Sequence, residues 1–241
     1  MECAKLGRSR ETILSSRWLK IVLGYYLVAD LFLSPDFWLQ ISEMKVLMLQ
    51  LILDVETKKT FEEVGGFFPD RLGISFVGVC ARQGMSGKGE MLGFFEDDLP
   101  KLFPLLEKAD VIIGFNVDNF DMQTFVSYYT GDIMSIPTLD LLTRIKKSVG
   151  HRIGLDAVAK ETLGIGKTGD GLDAIKYYKN QDWQSLRDYC LQDVAVTRDI
   201  YDYGVSKGKV KFRNKWNRLI ECDVDFSFTP KKNAGVQMSL L

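Results

Sequence analysis

The segment Leu51-Ile52-Leu53-Asp54-Val55-Glu56-Thr57 ends an apolar run that starts at Val46, and it carries two carboxylates to the end of that run. The run is too short to span a membrane and is typical of a central strand covered on both faces. Because side chains alternate along a strand, Asp54 and Glu56 point to one face while Val55 points into the core. Two carboxylates ~4 Å apart repel by about 4 kcal/mol at an effective dielectric constant of about 20, so such a pair is typical of a cation site. A strand-end aspartate followed by an unrelated loop glutamate is the alternative at this point.

The composition excludes several classes of protein. The chain has 241 residues, enough for one domain with a full core and an additional segment. Its 31 basic and 32 acidic residues give a net charge of −1, so contact with nucleic acid requires a local basic patch. The four cysteines are scattered without a C-x-x-C pair, which argues against a disulfide framework or a zinc knuckle and favours a reducing cytoplasm. The single histidine, His151, disfavours histidine-based zinc sites and nucleophile triads, so hydrolytic chemistry would depend on carboxylates and metal.

Residues 1–43 differ from the rest of the chain. Basic side chains precede an apolar segment at 21–29, and Pro35 ends the apolar region. Three interpretations remain open: a helix that packs on the domain or is loosely attached to it, an extension upstream of a start at Met44, or a membrane anchor. The uninterrupted apolar part is shorter than the ~20 residues of a spanning helix, so we expect no stable membrane insertion. The expected domain covers residues 44–228, and a polar tail follows at 229–241.

The apolar periodicity predicts alternating strands and helices after the first strand. Two strands, at 74–80 and 91–95, are joined by a glycine-rich turn, and another strand follows at 111–115. A short strand or a helix start is expected at 138–142. Amphipathic helices are expected from about residue 99, from 155 to 163 and from about 182 to 204. A strand with alternating lysines then begins near 207 and is followed by a returning strand near 219–222.

Two further groups of polar residues belong to these elements. Asn116 ends the strand at 111–115, and Asp121 starts a helix on the side that faces the sheet. Tyr189 and Asp193 are four residues apart on the long helix and therefore share a face. A buried tyrosine–aspartate pair within a helix is uncommon without a function, because burying a carboxylate costs free energy.

These residues form three motifs along the chain, in the order D-x-E, N-x-x-x-F-D and Y-x-x-x-D. The first is Asp54 to Glu56, the second is Asn116 to Asp121 and includes Phe120, and the third is Tyr189 to Asp193. This order resembles the DEDD (DnaQ-like) 3′–5′ exonuclease superfamily, which includes polymerase proofreading domains and ribonuclease D. The chain looks most similar to bacterial YprB-type domains and to the proofreading domain of family B polymerases, over roughly residues 44–228. The resemblance implies a ribonuclease H-like α/β fold, with a mixed central β-sheet flanked by α-helices. Asp188 stands where the histidine subtype has its histidine, and Tyr189 occupies the tyrosine position, so the tyrosine subtype is implied.

The resemblance also assigns roles to individual residues. Asp54, Glu56, Asp121 and Asp193 would hold two Mg²⁺ or Mn²⁺ ions, with Asp54 bridging both ions and Asp121 acting through water. Tyr189 would position the attacking water rather than act as a base, because a phenol has a pKa of about 10. Asn116 and Phe120 would shape the pocket, and Thr57 would hold the terminal nucleotide.

The implied activity is hydrolysis of phosphodiester bonds at the 3′ end of single-stranded nucleic acid by a two-metal-ion mechanism. DNA is favoured over RNA as the substrate, the products are nucleoside 5′-monophosphates, and a helicase or a polymerase is the expected kind of protein partner. Two alternatives remain. A catalytically inactive relative that binds nucleic acid is disfavoured because all four carboxylates are present. A resolvase or transposase core is disfavoured because it does not need a tyrosine four residues before the last aspartate.

The alternating lysines at 207–215 are the concentrated basic segment of the chain, and they admit two interpretations. Lys209 and Lys211 contact the phosphate backbone of the upstream strand, or they protect a charged edge strand from aggregation.

Overall fold

A computed structural model describes residues 48–85, 87–166 and 171–228 of the chain. The expectations for residues 1–43 and for the tail at 229–241 lie outside these residues. The strands are β1 (Leu49–Thr57), β2 (Ile74–Gln83), β3 (Glu90–Phe95), β4 (Val111–Gly114), β5 (Thr138–Asp140), β6 (Lys209–Arg213) and β7 (Leu219–Asp223). The helices are α1 (Leu99–Lys108), α2 (Asp121–Thr124), α3 (Leu141–Val149), α4 (Leu155–Leu163), α5 (Gly171–Lys179) and α6 (Trp183–Lys207). Of the helices in these ranges, none combines the length and the apolar character that a membrane span requires.

A mixed five-stranded sheet forms the centre of the domain, with the strands in the order β3-β2-β1-β4-β5. β1 pairs antiparallel with β2 and parallel with β4, while β3 extends the sheet antiparallel and β5 extends it parallel. β6 and β7 form a separate antiparallel hairpin. The expected α/β architecture, a mixed central sheet flanked by helices, is therefore confirmed.

The strand β1 is buried on both faces, as its apolar run predicts. Leu51, Leu53 and Val55 pack on one face, in a cluster that includes residues of α1 and α2. Ile52 packs on the other face, in a cluster that includes residues of α4, α6 and the β6–β7 hairpin. Because the faces alternate, Asp54 lies on the Ile52 side, which is the side that α6 covers.

A polar group inside β1 connects the sheet to the far half of α6. Gln50 is buried, and its Oε1 accepts a hydrogen bond from Nε of Arg82 on β2 at 3.0 Å. The guanidinium of Arg82 donates to both carboxylate oxygens of Asp202 on α6, at 2.6 and 2.9 Å. A bidentate ion pair of this kind restrains the position of α6 relative to β2 more than a single hydrogen bond would.

Most elements lie where the periodicity predicts them, with three differences. The segment at 138–142 is both a strand end and a helix start, since β5 passes directly into α3. α6 continues to Lys207, three residues beyond the expected end at 204. The helix α5 was not predicted, because it begins with glycine and buries only Ala174 and Ile175, which leaves a weak apolar pattern.

Candidate active site

The carboxyl end of β1 brings Asp54 and Glu56 together, as the alternation of side chains predicts. Asp54 is half-buried, and Glu56 is 8% exposed. One oxygen of each carboxylate and Sγ of Cys190 on α6 all lie within 4.8 Å of one another. The β1–β2 pairing changes register between Glu56 and Thr57, so the strand becomes irregular directly after the two acids.

The helix α6 reaches these carboxylates because the strand beneath it carries a glycine. Gly78 on β2 is the pairing partner of Asp54. A Cβ atom on Gly78 would come within 2.9 Å of both Sγ of Cys190 and Cγ2 of Val194, which is closer than real Cβ atoms come. The thiol of Cys190 donates to Oδ2 of Asp54 at 3.6 Å, a length within the range for sulfur. The close packing of α6 thus places Tyr189 and Asp193, on either side of Cys190 in the sequence, beside the β1 acids.

Asp121 starts α2 and is buried, with 3% of its surface exposed. Its Oδ1 accepts a hydrogen bond from the backbone N–H of Val55 at 2.9 Å. Asp121 is therefore held against the backbone between Asp54 and Glu56, which confirms that it lies on the side of its helix that faces the sheet.

The carboxylates of the site share an unfavourable electrostatic environment. Burial and, after it, the charge of Asp193 together raise the pKa of Asp54 to about 7, although the hydrogen bond from Cys190 opposes the rise. Burial also holds the pKa of Glu56 well above its usual range, with Asp54, Asp193 and Asp121 adding to the effect. The pKa of Asp121 is raised by burial and then by Asp54. Within the described residues, none of the salt bridges involves Asp54, Glu56 or Asp121.

Tyr189 keeps its proton at neutral pH. Burial raises the pKa of its phenol far above the usual value, and the charges of Asp193, Glu56 and Asp54 raise it further. A phenol in this environment donates a hydrogen bond and does not act as a base.

A cleft of about 370 Å³ opens over these groups. Six of the ten sequence-predicted site residues line it: Asp54, Glu56, Thr57, Phe120, Tyr189 and Asp193. The lining also includes the apolar groups Phe61, Leu172 and Ile175, and the polar side chains of Lys59 and Thr60. The rings of Phe61 and Phe120 meet edge to face with their centroids 6.0 Å apart. The cleft therefore combines carboxylates with aromatic and aliphatic side chains.

The family model for the RNase_H superfamily matches residues 51–205, which is more than half of the chain. The chain belongs to the RNase_H superfamily. The matched range begins in β1 and ends near the end of α6, so it contains Asp54, Glu56, Asp121, Tyr189 and Asp193. A search of curated protein sequences gives no match.

Solved structures with this RNase_H superfamily fold include three nucleic-acid enzymes. The family B DNA polymerase from the archaeon Pyrobaculum calidifontis is 17% identical, with a TM-score of 0.50 over 66% of this chain and 24% of its own. RNase D of Trypanosoma brucei is 17% identical, with a TM-score of 0.44 over 70% of this chain and 62% of its own. Exonuclease I of E. coli, in complex with an oligonucleotide, is 14% identical, with a TM-score of 0.42 over 67% of this chain and 41% of its own. The chain spans less than two thirds of each of these proteins, and the likeness to the polymerase supports the fold alone.

The carboxylates of the candidate site are suitable ligands for a divalent metal ion that prefers oxygen. Asp54 and Glu56 present carboxylate oxygens close together, and burial, followed by the charges of the neighbouring carboxylates, raises the pKa of both groups. Burial, and after it the charges of Asp54 and Glu56, raise the pKa of the Cys190 thiol well above its usual value, and the thiol donates to Asp54. The carboxylates are therefore of the kind that bind a divalent cation through oxygen.

Asn116 lies at the turn after β4 and supports this turn through its backbone. Its φ of 74° places it in the left-handed region, which asparagine tolerates better than most residues. Its backbone N–H donates to Oδ1 of Asp140 at 3.0 Å, and its carbonyl accepts from the N–H groups of Asn119 and Phe120. Asn116 and Asp121 do not contribute to the cleft wall as the described residues form it.

Lys209 and Lys211 lie on β6, away from the carboxylates. The end of α6 is 14 residues beyond Asp193, which corresponds to roughly 21 Å along the helix axis. Across the hairpin, Glu221 on β7 pairs with Lys209 at 2.7 Å and with Lys211 at 3.3 Å. The two lysines therefore share one carboxylate, and their charge is partly neutralised in the structure.

Proposed function

We propose that the protein is a metal-dependent 3′–5′ exonuclease of the tyrosine subtype that degrades single-stranded nucleic acid, with DNA favoured over RNA. The observation that supports this most strongly is the meeting of Asp54, Glu56, Tyr189 and Asp193 in one open cleft, with Asp121 fixed directly behind β1. Four carboxylates brought together near the end of a buried strand lower the stability of the fold. Binding of divalent ions and a phosphate would explain why the chain places them together.

Asp54, Glu56 and Asp193, supported by Asp121, would hold two Mg²⁺ or Mn²⁺ ions. When bound, such ions stabilise the negative charge that develops on the reacting phosphate and make water a better nucleophile. Cys190 supports Asp54 by donating to its Oδ2, which leaves Oδ1 of that carboxylate free of the thiol.

Tyr189 would orient the attacking water through its phenolic oxygen, while its proton is donated to Asp193. The reaction joins the water oxygen to the phosphorus of the last phosphodiester and breaks the bond between that phosphorus and the 3′ oxygen of the preceding nucleotide. The leaving oxygen takes up a proton, and the terminal residue departs as a nucleoside 5′-monophosphate.

The wall of the cleft suits the terminal nucleotide without reading its sequence. Phe120 and Phe61 offer ring faces and edges to a base, and stacking on aromatic side chains tolerates every base. The hydroxyl of Thr57 lies at the same wall and donates to the carbonyl of Lys59 at 3.1 Å, so its oxygen remains an acceptor for a sugar hydroxyl. Single strands are favoured because a paired end must melt before its last phosphate reaches the acids.

The test is digestion of end-labelled DNA and RNA single strands with Mg²⁺, using the wild type, Asp193→Asn and the exposed control Asp188→Asn on the same helix. We expect 3′-labelled strands to release labelled mononucleotide at once, and 5′-labelled strands to shorten stepwise. EDTA and Asp193→Asn should abolish cleavage, while Asp188→Asn should keep it. Release of mononucleotide first from the 5′ end would overturn the polarity, and binding without cleavage would identify an inactive relative.

A further inference from the structure

A second cavity, of about 450 Å³, is lined by other residues than the candidate active site, although α5 contributes to both. Three aromatic rings line it: Phe95 at the end of β3, Tyr178 on α5 and Trp183 at the start of α6. The ring centroids of Phe95 and Trp183 are 5.9 Å apart, and those of Tyr178 and Trp183 are 5.8 Å apart, both in edge-to-face geometry. Trp183 is 44% exposed, so the aromatic wall is open to the surface.

The charge of this cavity is negative. Its lining contains Lys58 and the three consecutive acids Glu96, Asp97 and Asp98. Lys58 forms an ion pair with Glu96, which also accepts from the hydroxyl of Tyr128 at 2.7 Å. Asp98 pairs with Lys101 at 2.6 Å. In the part of the chain that the structure describes, Asp97 is exposed and forms no ion pair, so one carboxylate of the rim remains uncompensated.

A buried hydroxyl in the cavity wall also lacks a partner. Ser75, at the start of β2, is 2% exposed, and its Oγ has no hydrogen-bond partner among the described residues. Buried polar groups are normally paired, and an unpaired one costs free energy unless a ligand or a water satisfies it. A ligand group that reaches this hydroxyl, as a donor or as an acceptor, would satisfy it.

We propose that this cavity binds the guanidinium group of an arginine presented by a partner protein. A guanidinium is planar, stacks on aromatic faces, carries a permanent positive charge and has five N–H donors for Asp97 and the orphaned Ser75. One ring of the wall already faces a cation, because Nζ of Lys58 lies 5.6 Å from the centroid of Tyr178. A nucleotide suits the cavity poorly, since its phosphate would lie beside the uncompensated Asp97. The assignment does not rest on the proposed exonuclease activity.

The test is titration of the full chain with the tripeptide acetyl-Gly-Arg-Gly-amide and with the same peptide carrying citrulline, which has nearly the same shape without the charge. The four tryptophan indole N–H signals are followed by NMR, and Trp183→Phe identifies the signal of Trp183. We expect a saturable shift of that signal with the arginine peptide, with a dissociation constant at least fivefold lower than that of the citrulline peptide.

Variants locate the binding determinants. Asp97→Asn should weaken the arginine peptide about fivefold, the usual order for one exposed charge pair, and Ser75→Ala should weaken it by a comparable factor. The matched control Asp188→Asn removes an exposed carboxylate of α6 outside the cavity and should leave binding unchanged. Equal binding of the citrulline peptide, or displacement of the arginine peptide by adenosine 5′-monophosphate, would overturn the proposal. A Trp183 signal that does not respond to the arginine peptide would overturn it as well.

Discussion

Replacing Asp54 by asparagine should stabilise the metal-free protein, and the gain should grow with pH. The pKa of Asp54 is raised to about 7 in the folded chain, against about 3.9 in an unfolded one. Because the folded pKa is the higher of the two, the folded state binds this proton more tightly. The resulting stability is fully present below about pH 4 and is lost as the pH rises through about 7.

The size of this effect follows from the difference in pKa. Each pKa unit corresponds to ~1.36 kcal/mol, so the complete loss is about 4 kcal/mol, of which roughly 2–3 kcal/mol falls between pH 5 and pH 8. An amide at this position has no proton to lose, and its oxygen can still accept the hydrogen bond from Cys190. The difference in unfolding free energy between the variant and the wild type should therefore widen by about 2–3 kcal/mol over this range.

The measurement is urea unfolding in EDTA at pH 5, 6, 7 and 8, with Asp188→Asn as the control for removing an exposed carboxylate from the surface. Added Mg²⁺ should stabilise the wild type most at pH 8, where Asp54 is ionised, and should stabilise Asp54→Asn far less. Parallel pH profiles for the wild type and Asp54→Asn would refute the electrostatic reasoning, because they would mean that Asp54 ionises as freely in the fold as in the unfolded chain.

Three further outcomes are expected. Tyr189→Phe should slow cleavage by about 10²–10⁴-fold, the range for a positioned proton-handling group, while keeping the stabilisation by Mg²⁺; a loss of that stabilisation would assign the hydroxyl to metal binding. Gly78→Ala should lower the unfolding free energy by about 1–3 kcal/mol through overpacking and reduce cleavage, whereas Gly166→Ala, with open space around its Cβ position and no place in a helix or a strand, should do neither; equal urea midpoints for the two variants would contradict the close packing of α6. Changing Lys209 and Lys211 together to alanine should reduce the salt dependence of single-strand binding by a slope of about 1.4; an unchanged slope would leave them as the charged edge of the hairpin.

The strand with the first two acids could be predicted because its requirements are local. An apolar run long enough for a buried strand, ending in D-x-E, fixes both the burial of Val55 and the common face of Asp54 and Glu56. The same holds for Asp121, whose position at a helix start follows from the helical spacing after Asn116. The mixed sheet was implied by the resemblance of the motifs, and the strand order confirms it.

The parts that the sequence did not reveal depend on contacts between distant segments. Leu186, Cys190 and Val194 follow one another at four-residue spacing, which marks the core face of α6. The spacing of apolar residues does not reveal that Cys190 contacts Asp54, because the two residues are 136 positions apart in the sequence. In the sequence, Gly78 is simply a residue that weakens a strand. Only the packing of α6 in the structure shows why a side chain does not fit at this position. Sequence reasoning therefore found the charged groups but missed what positions them.

The geometry of the site consequently depends on how α6 packs on the sheet. Two contacts with the sheet restrain this helix: the close approach over Gly78 near the acids, and the pair between Arg82 and Asp202 farther along. Asp202 lies nine residues beyond Asp193, roughly 13 Å along the helix axis, so the two contacts together restrain both the height and the tilt of α6. The mutual repulsion of the carboxylates would move Tyr189 and Asp193 away from β1 if the helix were free to shift. The packing between α6 and β2 opposes that movement, and for this reason the acids remain close together in a protein whose own charges drive them apart.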